Sequence, residues 1–240
     1  MIYTTLDYKN YTLRGFLHIP KKKTYDLFIY FHGFTGSKID QNHMASNMAK
    51  KMCDLGYGFL RMDFYGTGDS DGDFYQMTLS DEIEQAKHII EYAKTLDNIN
   101  NIHLIGHSMG GLVTINVASD DVDKIILLAP AIEMNYLSNV MCTNDNYISE
   151  YDGYEVGGLI VSRCFVDDVK NINNKILFGN KTLVIHGDMD DFCSLEDSIE
   201  LCSKYDNLEL LVLKNAGHCF EDYCMRMKII EKIINFVEVK

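Results

Sequence analysis

Short apolar runs alternate along this chain with stretches in which apolar residues recur every three or four positions. The run LFIYF at 27–31 is the clearest example of the first kind, and it stops at His32-Gly33. Apolar runs of four to eight residues bounded by turn residues are typical of buried strands. We therefore predict strands at 27–31, 57–62, 102–105, 125–128, 182–185 and 208–213. Two shorter strands, near 3–6 and 11–19, are predicted to form an antiparallel edge.

Amphipathic stretches between these runs predict the helices. The stretch from Ser80 to Leu96 has one apolar face, and Ser80 is its predicted N-cap. The other predicted helices lie at 44–55, 109–118, 195–204 and 222–237. Apolar strands that alternate with helices form parallel sheets with helices on both faces. The sequence therefore predicts an α/β fold with a mostly parallel, doubly wound sheet.

The alternation breaks between Pro130 and Lys181, where about fifty residues show no clear period and are rich in Asn, Asp, Tyr and Gly. A structureless loop of that length is unusual inside a compact domain. We therefore predict an inserted lid or cap subdomain at 131–180, between the two parts of the core at 1–130 and 181–240. A disordered surface insertion is the alternative.

Composition and charge narrow the class of protein. The 240 residues are 47% hydrophobic, which suffices for a substantial core, and 35 acidic against 22 basic side chains give a formal net charge of −13. Phosphate backbones and anionic lipids repel such a chain, so we predict no nucleic-acid partner and no membrane association. Residues 1–10 contain no apolar signal core, which predicts a cytoplasmic protein. A homo-oligomer is compatible with the sequence.

The segment GHSMG at 106–110 fits the pattern Gly-x-Ser-x-Gly. It directly follows the predicted strand 102–105 and opens the predicted helix 109–118. A serine on such a strand-to-helix turn has a strained backbone, and only small neighbours two residues away avoid a clash. We therefore predict that Ser108 is a nucleophile. A tight structural connection is the alternative.

A serine hydroxyl needs a base to take its proton, and the chain offers eight histidines. His218 lies between the last predicted strand and the last helix, where a parallel sheet places catalytic groups. His107 adjoins the serine, so its side chain is expected to point away from that of Ser108. His218 is the predicted base.

The imidazole in turn needs an acceptor that fixes its tautomer and stabilises the imidazolium. Three carboxylates follow the predicted strand 182–185, at Asp188, Asp190 and Asp191. Asp190 is the predicted acid, and the other two remain alternatives. The resulting order of serine, aspartate and histidine along the chain is the order expected of α/β-hydrolases.

An oxyanion formed during acyl transfer needs backbone N–H donors. Met109 follows the serine at the start of its helix and supplies the first predicted donor. The second is predicted from the loop after 27–31, where Phe34 lies between Gly33 and Gly36. No Cys-x-x-Cys pair occurs. A metal site formed by His186 with the aspartates after 182–185 is an alternative, but no other histidine lies at a ligand-like spacing, so we predict no cofactor and no metal.

At these residues the chain resembles the α/β-hydrolase superfamily over nearly its full length, and within it most resembles feruloyl (cinnamoyl) esterases. The segments that carry the second resemblance are RMDF at 61–64, LAPA at 128–131, Gly157-Gly158 and HCF at 218–220. Monoacylglycerol-lipase-like hydrolases share the core motifs. The resemblance implies a small lid whose residues bind an aromatic acyl group and its phenolic hydroxyl.

The implied substrate is a small-molecule carboxylic ester, specifically a hydroxycinnamate ester from plant cell walls. The candidate substrate-binding residues in the insert are Glu133, Asn135, Tyr136 and Ile160. Short-chain acyl or monoacylglycerol esters are the alternative substrates. Peptidases and acyltransferases use the same triad, and a non-catalytic binding protein of this fold is a further alternative, although such proteins normally lose a triad member or an elbow glycine.

Overall fold

The computed structural model describes residues 1–134, 137–172 and 179–239. Its main sheet contains eight strands, which are β1 (Ile2–Tyr8), β2 (Tyr11–His18), β3 (Tyr25–Phe31), β4 (Gly58–Met62), β5 (Ile99–His107), β6 (Lys124–Leu128), β10 (Lys181–Gly187) and β11 (Leu208–Leu213). Across the sheet they lie in the order β1-β2-β4-β3-β5-β6-β10-β11. Strand β2 pairs antiparallel with both β1 and β4, and all other neighbours are parallel. The predicted α/β class, the mostly parallel sheet and the antiparallel edge are confirmed.

Helices cover both faces of this sheet. They are α1 (Met44–Asp54), α2 (Leu79–Lys94), α3 (Met109–Val117), α4 (Arg163–Asn171), α5 (Leu195–Ser203) and α6 (Tyr223–Glu238). Successive side chains of β3 point to opposite faces of the sheet. Ile29 packs in the core that contains α2 and α3, whereas Phe28 and Tyr30 pack in the core that contains α1 and α6. The doubly wound arrangement is therefore confirmed. None of the described helices is long and apolar enough to cross a membrane.

The predicted N-cap of α2 is wrong. The helix begins at Leu79, and Thr78, with extended backbone, accepts a hydrogen bond from the Asp81 amide at 3.2 Å. Ser80 instead lies inside the first turn, where its amide and hydroxyl donate to the Asp168 carboxylate of α4 at 2.8 and 2.6 Å. Both residues can cap a helix, and the contact with α4 decides between them.

The segment between β6 and β10 has structure of its own. Its strands β7 (Tyr147–Ile148), β8 (Gly153–Val156) and β9 (Leu159–Ser162) form a small antiparallel sheet, followed by α4. Phe165 of α4 is buried in the same core as α2 and α3, so the described part of this segment packs on the core. Its role as a lid stays a prediction, and residues 135, 136 and 173–178 lie outside the described part of the chain.

Candidate active site

Ser108 lies on a sharp turn between β5 and α3, with φ 54° and ψ −121°. A positive φ is uncommon outside glycine and marks a strained backbone. The flanking glycines permit this turn, since a Cβ on Gly110 would lie 2.1 Å from the Phe31 carbonyl oxygen. A Cβ on Gly106 would lie 2.2 Å from the Gly110 carbonyl oxygen. The structure therefore shows the predicted strand–turn–helix geometry, with the Ser108 side chain half-buried at the end of β5.

Asp190 is the one of the three candidate carboxylates that contacts His218. Its Oδ2 lies 2.8 Å from Nδ1 of His218, and its side chain is completely buried. Asp188 and Asp191 are exposed, and Asp188 accepts a hydrogen bond from the Asn215 amide instead. The sequence left three candidates for the carboxylate that orients His218. Asp190 is the one whose side chain is buried and contacts the His218 ring.

Four donors surround the Asp190 carboxylate. Its Oδ1 accepts from the amides of Phe192 and Cys193 at 2.8 and 2.9 Å, and its Oδ2 lies 3.2 Å from Nε2 of His186 as well as beside His218. Burial alone would raise the pKa of Asp190, but these hydrogen bonds outweigh it and hold the pKa well below its usual range. Asp190 is therefore ionised near neutral pH and can stabilise an imidazolium.

His218 follows β11, and its ring lies between two other rings. Its centroid is 5.3 Å from that of Phe192 and 5.1 Å from that of His107. The Asp190 carboxylate accepts a hydrogen bond from Nδ1 of His218, so the neutral ring carries its proton on Nδ1. Nε2 is then the nitrogen that can take a proton from a serine. The side chain is 12% exposed, so Nε2 keeps limited access to solvent.

Ser108 and His218 line one cavity of about 490 Å³, a volume typical of small-molecule sites. The predicted oxyanion residues Phe34 and Met109 also line it. Much of the remaining wall is apolar and consists of Ala131, Met134, Leu137, Met141 and Phe192. The structure thus brings the five residues Ser108, His218, Asp190, Phe34 and Met109 together at the carboxyl ends of β3, β5, β10 and β11, with Asp190 behind His218.

The loop that carries Phe34 is fixed by close packing. A Cβ on Gly33 would lie 2.9 Å from the Ser108 Cβ, so glycine is needed for this approach. The amide of Gly36 donates to the Gly33 carbonyl at 3.0 Å and closes a turn around Phe34. The Phe34 ring stacks on Phe165 of α4, with centroids 5.4 Å apart. Residues of the insert thus support the predicted oxyanion loop.

The candidate substrate-binding residues differ in their placement. Glu133 is exposed and lines the cavity, whereas Ile160 lies in β9, outside the set of described residues that line it. Asn135 and Tyr136 lie outside the described residues. The role of each in substrate binding stays a prediction. Among the described residues, no cluster of three or more His, Cys, Asp and Glu side chains is arranged to hold a metal ion.

Sequence reasoning missed a buried pair beside the site. Nδ1 of His107 lies 3.1 Å from Oδ2 of Asp40, and both side chains are buried. Burial lowers the pKa of His107, but the Asp40 carboxylate more than offsets it and raises the pKa to about 10. Asp40 is 67 positions from His107, and no local pattern joins them. The contact of His186 with Asp190 was also missed, although only four positions separate the two residues.

Comparisons with known proteins agree with this architecture. Residues 23–146, just over half of the chain, match the family described as serine aminopeptidase S33. The structure of Est1E from Butyrivibrio proteoclasticus with ferulic acid bound is similar, with a TM-score of 0.87 and 25% identity over 98% of this chain and 97% of that one. Mouse alpha/beta hydrolase domain-containing protein 10 has a TM-score of 0.81 at 16% identity, over 99% of both chains. These likenesses confirm the predicted α/β-hydrolase fold.

One curated sequence relative is also similar to this chain. It is a Mycoplasma genitalium protein provisionally named esterase/lipase 2, 29% identical over 135 residues. The match covers 55% of this chain and 47% of the relative, so it spans about half the length of the relative.

Proposed function

Because this chain belongs to the serine aminopeptidase S33 family of α/β hydrolases, we propose that it hydrolyses carboxylic esters with Ser108 as nucleophile. One observation carries the proposal. Ser108 on its strained turn and His218, bonded at 2.8 Å to the buried Asp190, line the same cavity. That combination of nucleophile, base and orienting carboxylate suits acyl transfer.

The proposed reaction has two halves. The Oγ of Ser108 attacks the acyl carbon while its proton moves to Nε2 of His218, and the imidazolium is stabilised by Asp190. The N–H groups of Phe34 and Met109 hold the oxyanion. The imidazolium then donates its proton to the departing alcohol oxygen, which leaves an acyl-Ser108 ester. A water molecule, deprotonated by Nε2 of His218, then attacks the acyl carbon, and the imidazolium returns this proton to Oγ of Ser108 as the bond to the acyl carbon breaks and the acid is released.

For the substrate we propose a hydroxycinnamate ester. The similar Est1E structure holds ferulic acid and covers nearly the whole chain. The cavity wall includes Met134, Met141 and Phe192, and thioether and aromatic side chains pack well on aromatic rings. The exposed carboxylate of Glu133 at this cavity is the proposed acceptor for a phenolic hydroxyl. A neutral ester is also compatible with the protein's net charge of −13, because an uncharged substrate is not repelled by it.

Rapid-mixing kinetics with a p-nitrophenyl short-chain ester test the chemistry. We expect a burst of p-nitrophenol close to one equivalent per enzyme, followed by slower turnover, because the acyl-enzyme accumulates. Ser108→Ala should abolish the burst. Ser203→Ala, at an exposed serine on α5, is the matched control and should retain it. An undiminished burst in Ser108→Ala would refute the assigned nucleophile.

A substrate panel tests the specificity separately. We expect methyl ferulate to give a higher kcat/KM than a short-chain p-nitrophenyl ester, a monoacylglycerol or an aminoacyl amide. Preference for the monoacylglycerol would favour the lipase alternative, in line with the name of the Mycoplasma relative, and preference for the amide would favour the peptidase alternative. Either result would overturn the hydroxycinnamate proposal while leaving the serine hydrolase proposal intact.

A further inference from the structure

Three consecutive backbone carbonyls in the loop that carries His218 face two buried cationic side chains. The His218 carbonyl oxygen lies 3.1 Å from Nε2 of His107. The carbonyls of Cys219 and Phe220 accept hydrogen bonds from Nη2 and Nε of Arg226, at 2.9 and 2.6 Å. Hydrogen bonds from charged donors are stronger than those from neutral ones, so this loop is held at three successive residues.

The same two cations also contact the segment 40–42, which we call the 40–42 bridge. His107 bonds Asp40 through Nδ1 at 3.1 Å, and Nη1 of Arg226 donates to the Asn42 carbonyl at 2.9 Å. Between these two contacts, the Cys219 thiol donates to the Gln41 side-chain carbonyl at 2.7 Å. Each residue of the bridge therefore contacts residues 218–220, which we call the catalytic loop, either directly or through His107 or Arg226.

The backbone on both sides of this connection is unusual. Asp40 and Asn42 have φ of 57° and 51°, and Phe220 has φ of 48°. Positive φ values of this kind are uncommon for residues other than glycine. Such conformations persist where surrounding contacts over-determine them, and they cluster at functional sites. The contacts just described supply that constraint.

The charge state of His107 suits its place between two acceptors. Asp40 raises the pKa of His107 to about 10 despite burial, and Asp40 also accepts hydrogen bonds from the Tyr30 hydroxyl and the Gln41 amide. At neutral pH both ring nitrogens of His107 therefore carry protons. One donates to Asp40 and the other to the His218 carbonyl.

We propose that His107 and Arg226 are positioning residues that hold the catalytic loop against the 40–42 bridge, and so fix His218 relative to the loop that carries Phe34. That loop leads directly into the bridge along the chain. The inference rests on the proposed function, because it takes His218 as the base. A misplaced base slows proton transfer without changing the groups that bind substrate, so the loss belongs in kcat.

Arg226 gives the cleaner variant, because it is outside the set of described residues that line the active-site cavity. Arg226→Lys keeps the charge, but an ammonium lacks the planar fork that spans three carbonyls. We expect Arg226→Lys and His107→Gln to lower kcat by about 10–10²-fold with KM nearly unchanged, since a small misplacement of a catalytic group costs this much. Labelling of Ser108 by a fluorophosphonate should slow by the same factor.

The matched control is His103→Gln. His103 is a buried histidine in the middle of the same strand β5, beside two aspartates and outside the set of described residues that line the active-site cavity. We expect it to retain the wild-type kcat. As a spectroscopic readout, the low-field proton resonance of the His218–Asp190 hydrogen bond should shift or broaden in Arg226→Lys and stay unchanged in His103→Gln.

Wild-type kcat in folded Arg226→Lys and His107→Gln would overturn the inference, and so would an equal loss in His103→Gln. If His107→Gln does not fold, Arg226→Lys and the proton resonance decide alone. A wild-type protein that neither hydrolyses esters nor reacts with the fluorophosphonate would instead refute the proposed function, so the two failures are distinguishable.

Discussion

Strand β5 carries two buried histidines, His107 at its carboxyl end and His103 in its middle, with different surroundings. At the carboxyl end, both nitrogens of His107 lie 3.1 Å from an acceptor, on Asp40 and on His218. In the middle of the strand, Nε2 and Nδ1 of His103 lie 3.6 Å from carboxylate oxygens of Asp26 and Asp123, and among the described residues neither nitrogen has a hydrogen-bond partner. Hydrogen bonds from both nitrogens therefore fix the ring of His107, whereas the ring of His103 lies near two carboxylates without a hydrogen bond to either.

The difference follows from the topology of a parallel sheet. Loops after β3, β5, β10 and β11 converge at the carboxyl edge, so side chains far apart in sequence meet there. On the amino side of the sheet, Asp26 of β3 and Asp123, which directly precedes β6, lie near His103 but beyond hydrogen-bond distance. Burial of a histidine is therefore a poor guide to function, whereas saturated hydrogen bonding beside a cavity is a better one.

The largest expected effect at the carboxyl end concerns Asp190. Asp190→Asn keeps the shape of the side chain but removes the charge that stabilises the imidazolium, and kcat should fall by about 10⁴-fold. Steady-state kinetics on protein shown to be folded by circular dichroism measure this. Asp191→Asn, on the exposed neighbour in the same loop, should keep wild-type kcat. A comparable loss in Asp191→Asn would contradict the choice of acid.

Gly110→Ala should disrupt the turn itself. The added Cβ would lie 2.1 Å from the Phe31 carbonyl oxygen and 2.6 Å from that of His32, which are backbone atoms that cannot move cheaply. We expect a cost of about 3 kcal/mol, the upper part of the usual range for overpacking. The melting temperature should then fall by roughly 6–12 °C.

Differential scanning calorimetry checks this prediction against Gly179→Ala. A Cβ on Gly179 has no neighbour within 4 Å among the described residues, so that variant should melt near the wild type. Equal melting temperatures for both variants would mean that the close approach at Gly110 is not required.

A smaller effect is expected in the pH dependence of stability. The raised pKa of His107 means that its ion pair with Asp40 contributes fully below the unfolded-state pKa of ~6.5. That contribution is lost as the pH rises from there to about 10. The free energy of unfolding of wild type should therefore exceed that of His107→Gln most near pH 6, and the gap should narrow toward pH 10.

Urea unfolding at a series of pH values measures the gap. The folded protein places the Asp40 carboxylate, the Cys219 thiol and the His218 carbonyl around the ring, and the Tyr30 hydroxyl on Asp40. His103→Gln, compared with wild type in the same way, provides the reference for a buried histidine in the middle of the same strand. A gap for His107→Gln that stays constant or widens above pH 7 would contradict a protonated His107.

The smallest effect is expected at the amino end. Asp123→Asn removes a half-exposed carboxylate 3.6 Å from His103, which is beyond hydrogen-bond distance. The free energy of unfolding should change by less than about 0.5 kcal/mol. The kcat should be unchanged. Urea unfolding and ester hydrolysis check both statements, and a loss of kcat would show that the two edges are coupled.

Local patterns predicted much of this molecule because local chemistry determines it. The apolar runs form strands. The GHSMG segment forms a strained turn because its two glycines allow backbone atoms to approach where a Cβ would clash. Local patterns did not separate Ser80 from Thr78 as a cap, since a contact with Asp168 decides that. The ion pair of Asp40 and His107 depends on folding across 67 positions, and periodicity carries no signal for it.

The most direct test of the central claim is covalent labelling by a fluorophosphonate followed by peptide mass spectrometry. A serine activated by a base reacts with this probe, whereas an ordinary serine does not. We predict one adduct per chain, located on Ser108, absent from Ser108→Ala and strongly slowed in Asp190→Asn. No adduct on the folded wild-type protein, or an equal adduct in Ser108→Ala, would contradict the assignment of this site as a serine hydrolase centre.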